Sequence, residues 1–184
     1  MIYKIDSRLT GVKKIIPKLN KDNRGKFLET WNKKIYKNLI GDVTFCQDNL
    51  SFSKKNVIRG LHYQHPEDEQ GKLVYVLQGR ILDVVVDIRK ESPNFGKWDS
   101  FTLDDQLNHQ VWIPEGFAHG FCVLSDYAVV QYKCTAPWNK FSENIIRWND
   151  PIINIKWPIS DPIISKKDNE ALLLLEHKRL PKYD

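Results

Sequence analysis

The stretch Leu73-Val74-Tyr75-Val76-Leu77-Gln78-Gly79-Arg80-Ile81-Leu82-Asp83-Val84-Val85-Val86-Asp87-Ile88 decides the fold class. Two runs dense in β-branched and aromatic residues flank a glycine, the composition of two strands around a tight turn, so a hairpin is expected at Gln78-Gly79-Arg80. Ala128-Val129-Val130-Gln131-Tyr132 repeats the strand chemistry further along, and Ser92-Pro93-Asn94-Phe95-Gly96 and Pro114-Glu115-Gly116 supply turns between such segments. From Thr44 to Lys133, many short strands at regular spacing predict a sandwich or barrel.

The flanks differ. In residues 1–30, Asp22-Asn23-Arg24-Gly25 marks a turn between short extended runs, which predicts an N-terminal arm or edge hairpin. Trp31, Ile35, Leu39 and Ile40 fall near helical spacing with Gly41 placed as a stop, so residues 31–41 are expected to be helical. Asn169 to Glu176, with Ala171-Leu172-Leu173-Leu174-Leu175 at its centre, reads as a second helix whose apolar residues seal one end of the barrel. No linker separates these parts. The expectation is one mainly-β, cupin-like domain over residues 1–184, a double-stranded β-helix or jelly roll with short terminal helices.

Composition narrows the function. A chain of 184 residues, 41% hydrophobic and 28% charged, suffices for one well-buried core. The formal charge of +5 is scattered in small clusters such as Lys54-Lys55 and Lys166-Lys167. That argues against a nucleic-acid stripe and for capture of a small anion such as a sugar nucleotide. Cys46, Cys122 and Cys134 have no CxxC spacing and are odd in number, which fits reduced thiols in the cytoplasm. The N-terminal residues lack the apolar core of a signal peptide, and no run approaches the roughly twenty apolar residues that span a bilayer, so no membrane partner is expected.

Ionisable residues within the β-rich region carry the chemistry: Arg59-Gly60-Leu61-His62-Tyr63-Gln64, Lys72, the block Pro114 to Phe121 containing His119, and Tyr132. A metal site needs ligands that converge. His62 and His65 are three apart, so on a strand they point to opposite faces, Pro66 ends the strand, and no well-placed glutamate completes a set with His119, so no metal is expected. The same residues suit proton transfer. His62 is a natural general base, Lys72 a fixed cation where an oxyanion develops, and Tyr132 a weak acid. Each alone is as easily a packing or surface residue; together they describe one polar-lined concave face.

These residues resemble the dTDP-4-dehydrorhamnose 3,5-epimerase family of cupin-like enzymes. The resemblance covers almost the whole chain. It rests on Asp22-Asn23-Arg24-Gly25 with Phe27 and Glu29, Gln47-Asp48-Asn49, Arg59 to Gln64, Gly71-Lys72, and Val86-Asp87-Ile88-Arg89 leading to Ser92 to Gly96. It continues through Ile113 to Phe121, Tyr132-Lys133-Cys134, Trp148-Asn149-Asp150-Pro151, Trp157-Pro158 and Ser165-Lys166-Lys167-Asp168.

The resemblance implies cofactor-free epimerisation of a nucleotide-linked 4-keto sugar in polysaccharide precursor synthesis, such as that of capsule or lipopolysaccharide. It makes His62 the base, Asp168 its orienting carboxylate, Lys72 the group facing the enolate oxygen and Tyr132 the acid on the opposite face. It places Arg59 and His119 around the diphosphate and pocket, with Asp83 orienting His119. Arg24, Phe27, Glu29, Gln47 and Asn49 become nucleotide and sugar contacts, and the N-terminal arm crosses to the partner of a homodimer.

Where the family usually carries a second tyrosine, Ala136-Pro137-Trp138-Asn139 offers Trp138 as the base-stacking ring. This departure leaves open thymidine or guanosine and hexose or heptose; inversion at C3 alone or at C3 and C5 is a matter of pocket shape. A sugar 3,4-ketoisomerase is disfavoured by the Arg59–Gln64 block and Asp168. A metal-dependent cupin oxygenase and a non-catalytic sugar-nucleotide-binding jelly roll are the remaining alternatives.

Overall fold

The structure is a computed structural model that describes residues 2–183. Along the chain run β1 (Tyr3–Asp6), β2 (Lys13–Ile16), β3 (Leu19–Asp22), β4 (Gly25–Leu28), α1 (Lys33–Ile40), β5 (Gln47–Lys54), β6 (Ile58–Gln64), β7 (Lys72–Gln78) and β8 (Arg80–Asp87). They are followed by β9 (Trp98–Asp104), β10 (Gln110–Ile113), β11 (Phe117–Val123), β12 (Tyr127–Cys134), β13 (Glu143–Ile145), α2 (Lys166–Asn169) and a 3₁₀ turn at Leu174–Glu176. A six-stranded sheet, in the order β1-β2-β10-β7-β12-β5, faces a five-stranded sheet, β13-β6-β11-β8-β9, and β3 and β4 form a separate hairpin. Every named pairing is antiparallel, which makes the mainly-β jelly roll the observed fold.

The deciding stretch forms strands but not a hairpin. β7 pairs with β10 and β12, whereas β8 pairs with β11 and β9, so Gln78-Gly79-Arg80 is a corner that carries the chain from one sheet to the other. Gly79 is obligatory there: its φ is +83°, and a Cβ would stand 2.1 Å from the Tyr127 carbonyl oxygen. Such corners alternate the chain between sheets, and Val74, Val76, Val111 and Val130 of one sheet pack against Ile81, Val85, Phe117 and Phe121 of the other. Both outer faces are also covered in part. Val84 and Val86 meet Ile146, Ile153, Ile155 and Leu174, and Leu73 and Trp112 meet Tyr36 and Ile40 of α1. Two buried faces explain why β8 is a nearly continuous apolar run and not an alternating one.

The ends correct the sequence reading in one place. The N-terminal segment does form an edge hairpin, in which β1 and β2 extend the large sheet through β10, and β3 and β4 form the separate hairpin around Asp22–Gly25. Residues 169–176 are not one helix: α2 precedes them, Leu172 bridges to Ile146, and of the leucine run only Leu174 is fully buried, with Leu172 and Leu175 51% and 68% exposed. The run covers the outer face of the five-stranded sheet as a short extended piece followed by the 3₁₀ turn that buries Leu174, and the Arg147 N–H bonds the Leu172 carbonyl at 2.9 Å. The helix expected at 31–41 is α1, capped by the Asn32 side chain and stopped at Gly41 with φ +94°. Among the described residues, no helix is long and apolar enough to cross a membrane.

Candidate active site

Strand parity builds the site. Leu61 and Tyr63 pack on the outer face of β6, which turns His62 and Gln64 inward. Val74 and Val76 point into the core from β7, so Lys72 shares their face, and Tyr132 packs against the same core from β12. Register aligns them: Lys72 lies across from Cys134 and Cys134 from Gln47, while Tyr132 lies across from Asn49. Gln47, Asn49, His62, Gln64, Lys72, Tyr132 and Trp138, with Glu143 at one side, therefore line a single pocket of about 240 Å³. His62 stands on one sheet, and Lys72 and Tyr132 stand on the other.

An adjoining cavity of about 420 Å³ shares His62 and Glu143 as wall and adds Arg59, Lys167 and Asp168. Asp168 reaches the strand from α2, where Ser165 caps the helix by accepting the Asp168 N–H at 3.1 Å. Its Oδ1 lies 2.9 Å from His62 Nε2, and its Oδ2 accepts the Gly60 N–H at 3.4 Å. Burial pushes the Asp168 carboxyl up, but the hydrogen bond and charge of His62, with the Gly60 and Ser165 contacts, outweigh it and hold the group below its ordinary value. An ionised carboxylate only accepts, so the neutral form of His62 carries its proton on Nε2 and its lone pair on Nδ1.

Opposite the imidazole, Lys72 is 7% exposed, and its ammonium pKa is lowered by burial, with partial restoration from Cys134, Glu115 and Glu143. Burial likewise raises the Tyr132 phenol, which keeps it protonated at neutral pH. An imidazole paired with a carboxylate thus faces a buried lysine and a protonated phenol across one small pocket. Groups of these types, so placed, can remove a proton, hold charge on an oxygen and return a proton from the other side.

Other expected residues fall differently. Trp138 lines the pocket at 53% exposure. Arg59 donates through Nε to Ser53 at 3.0 Å beside the second cavity. His119, the register partner of His62, lines neither cavity; it is 7% exposed and its Nε2 lies 2.6 Å from Asp83. The β3–β4 hairpin keeps Arg24 paired with Asp22 at 2.7 Å and Phe27 71% exposed, and Glu29, just beyond β4, accepts from Asn32; none of the three borders the His62 pocket. His65 points elsewhere, its Nδ1 2.8 Å from the Arg179 carbonyl oxygen and its Nε2 beside Asn144. Gln64, Gln70 and Glu143 were missed as pocket residues. Gln64 shares the face of His62 two positions on, a readable signal, whereas Glu143 arrives only through the pairing of β13 with Gln64.

A family model described as dTDP-4-dehydrorhamnose 3,5-epimerase matches residues 6–176. The Salmonella typhimurium dTDP-4-dehydrorhamnose 3,5-epimerase is 50% identical over 176 residues, covering 95% of this chain and 96% of that protein. A Neisseria gonorrhoeae protein of the same name is 52% identical over 165 residues, 89% of this chain but 50% of the relative, so the chain spans half of that protein's length. A crystal structure of the dTDP-6-deoxy-D-glucose-3,5-epimerase from Legionella pneumophila in complex with dTDP-4-keto-L-rhamnose superposes with a TM-score of 0.96 at 44% identity, each chain covered completely. With its jelly-roll fold and a match over nearly its whole length, the chain belongs to the dTDP-4-dehydrorhamnose 3,5-epimerase family of nucleotide-sugar isomerases.

Proposed function

We propose that this protein is a cofactor-independent 3,5-epimerase of a dTDP-linked 4-keto-6-deoxyhexose. The observation that carries the proposal is the His62–Asp168 pair on one wall of a pocket whose other wall holds Lys72 and Tyr132. The C4 ketone acidifies the hydrogens at C3 and C5. His62 Nδ1 takes the C3 proton, the resulting imidazolium is stabilised by Asp168, and the electron pair moves onto the C4 oxygen. Lys72 faces that oxygen, and because the ammonium is desolvated its attraction to the new charge is stronger than it would be in water. The electron pair returns from the C4 oxygen as Tyr132 donates a proton to C3 from the opposite face, which inverts the centre. Exchange with water takes the proton off the imidazolium and restores one to the tyrosinate, and the cycle then repeats at C5.

Thymidine is the nucleotide this reading favours over guanosine, and a hexose over a heptose, because the Legionella relative is described with dTDP-4-keto-L-rhamnose bound. In this reading Trp138, Gln47 and Asn49 receive the nucleoside and sugar, and Arg59 the diphosphate. Arg24, Phe27 and Glu29 act on the pocket of a second copy in a homodimer, which accounts for an exposed Phe27 on a hairpin remote from its own site. The setting is polysaccharide precursor synthesis in the cytoplasm, where three free thiols are stable.

The test is His62→Asn. It should abolish solvent exchange at C3 and C5 while leaving dTDP affinity within about threefold, because the imidazole acts at the sugar and not the nucleotide. Exchange near the wild-type rate refutes the assignment.

A further inference from the structure

The segment between β12 and β13 that carries Trp138 has no strand or helix of its own, yet side-chain amides hold its backbone at four consecutive residues. Gln70 Nε2 donates to the Ala136 carbonyl at 2.7 Å, and Gln64 Nε2 donates to the Pro137 carbonyl at 3.2 Å. Gln47 Oε1 accepts the Trp138 N–H at 2.8 Å, and Gln64 Oε1 accepts the Asn139 N–H at 2.7 Å. The Asn139 side chain adds a bond to Asp68 Oδ2 at 2.9 Å. These glutamines come from β5, β6 and the loop before β7, so three separate parts of the chain grip one exposed tryptophan. Gln64 is only 4% exposed, and its amide is used from both ends. A buried amide oriented this way fixes geometry, because every alternative placement leaves a polar group without a partner.

We infer that Gln64, assisted by Gln70 and Gln47, is a positioning residue that holds Trp138 as a preformed platform for the planar base of the substrate, so that the segment does not have to close around it. The inference rests on the nucleotide-sugar reading above. Preorganisation of this kind acts on binding and leaves the proton transfers of His62, Lys72 and Tyr132 untouched.

A double-mutant cycle tests it. Trp138→Ala removes the stacking surface and should raise KM for the dTDP-linked 4-keto sugar, and Kd for dTDP, about tenfold. Gln64→Met, of similar size but without the amide, should produce a comparable rise with kcat within about twofold, and the double variant should add little to either single change. Gln64→Glu, which still accepts from Asn139 but cannot donate to Pro137, should fall between wild type and Gln64→Met. Gln70→Met, which loses the bond to the Ala136 carbonyl, should shift KM in the same direction and serves if Gln64→Met does not fold. Additive effects, an unchanged KM in Gln64→Met or Gln70→Met, or a loss confined to kcat overturn the inference. If the wild-type protein fails to bind dTDP, it is the nucleotide reading that fails, and that result is distinct from normal wild-type binding with unaffected variants.

Discussion

Asp168→Asn is the sharpest perturbation of the proposed base. The substitution keeps the size of the side chain and, with the amide oxygen turned to the imidazole, an acceptor for His62 Nε2–H at the cost of the weak 3.4 Å bond from Gly60, but it removes the charge 2.9 Å from His62 Nε2. Proton abstraction makes His62 an imidazolium, so the charge matters more in the transition state than in the resting enzyme. With charge centres about 4 Å apart and an effective dielectric near 20, the pair is worth about 4 kcal/mol. The His62 side chain is 36% exposed, however, and solvent screening reduces this to about 2–3 kcal/mol. The expected loss in kcat is therefore roughly 30- to 150-fold. KM should stay within about threefold, since Asp168 is 5% exposed and acts through the imidazole. The assay is the initial rate of deuterium incorporation at C3, followed by proton NMR at saturating substrate. A loss of less than threefold, or one that appears in KM with kcat preserved, refutes the reasoning.

Three further substitutions probe the other wall and the scaffold. Tyr132→Phe should let exchange at C3 persist while net inversion falls by about 10²- to 10⁴-fold; unchanged inversion, measured by resolving the product sugars, means that another acid returns the proton. Lys72→Met should abolish turnover yet raise folding stability by about 1 kcal/mol in urea titrations, because a buried ammonium is replaced by an apolar chain. The sign is specific: burial lowers the folded-state pKa below 10.5, so the unfolded chain binds the extra proton and wild-type stability rises with pH as 10.5 is approached, a slope that Lys72→Met should lose. Gly60→Ala should destabilise by about 3 kcal/mol or more, visible as insoluble expression or a large fall in Tm. Gly60 has φ +124°, and a Cβ would lie 2.5 Å from Gly120 Cα and 2.8 Å from the His119 carbonyl oxygen, where β6 and β11 meet.

Much of this was legible in the sequence because strand chemistry is local. The valine-rich runs of β7, β8 and β12 announced strands, and period-two parity put His62, Lys72 and Tyr132 on inward faces once the neighbours were apolar. Which strands pair is not local. Gln78-Gly79-Arg80 has the composition of a hairpin turn, and only the partners of β7 and β8 reveal a corner between sheets. The leucines at 172–175 look helical because an apolar run carries no information on which surface it will cover; here that surface is a sheet, covered by the extended Leu172, which bridges to Ile146, and by Leu174 in a 3₁₀ turn. His62 could be nominated from its own strand, but Asp168 lies 106 residues away and was found through family resemblance. Its only local signal is Ser165 three positions earlier, the spacing of a helix cap. The positions assigned to Arg24, Phe27 and Glu29 come from resemblance alone, and none of the three lines the pocket of its own chain.

The central claim is that one base and one acid invert both carbons beside the ketone of a thymidine-linked sugar. It is tested most directly by proton NMR in deuterated water with dTDP-linked and GDP-linked 4-keto sugars offered side by side. Loss of the C3 and C5 signals from the dTDP sugar, with accumulation of the doubly inverted product, is the predicted result. Exchange at C3 alone, preference for the GDP sugar, or no exchange with either would contradict it.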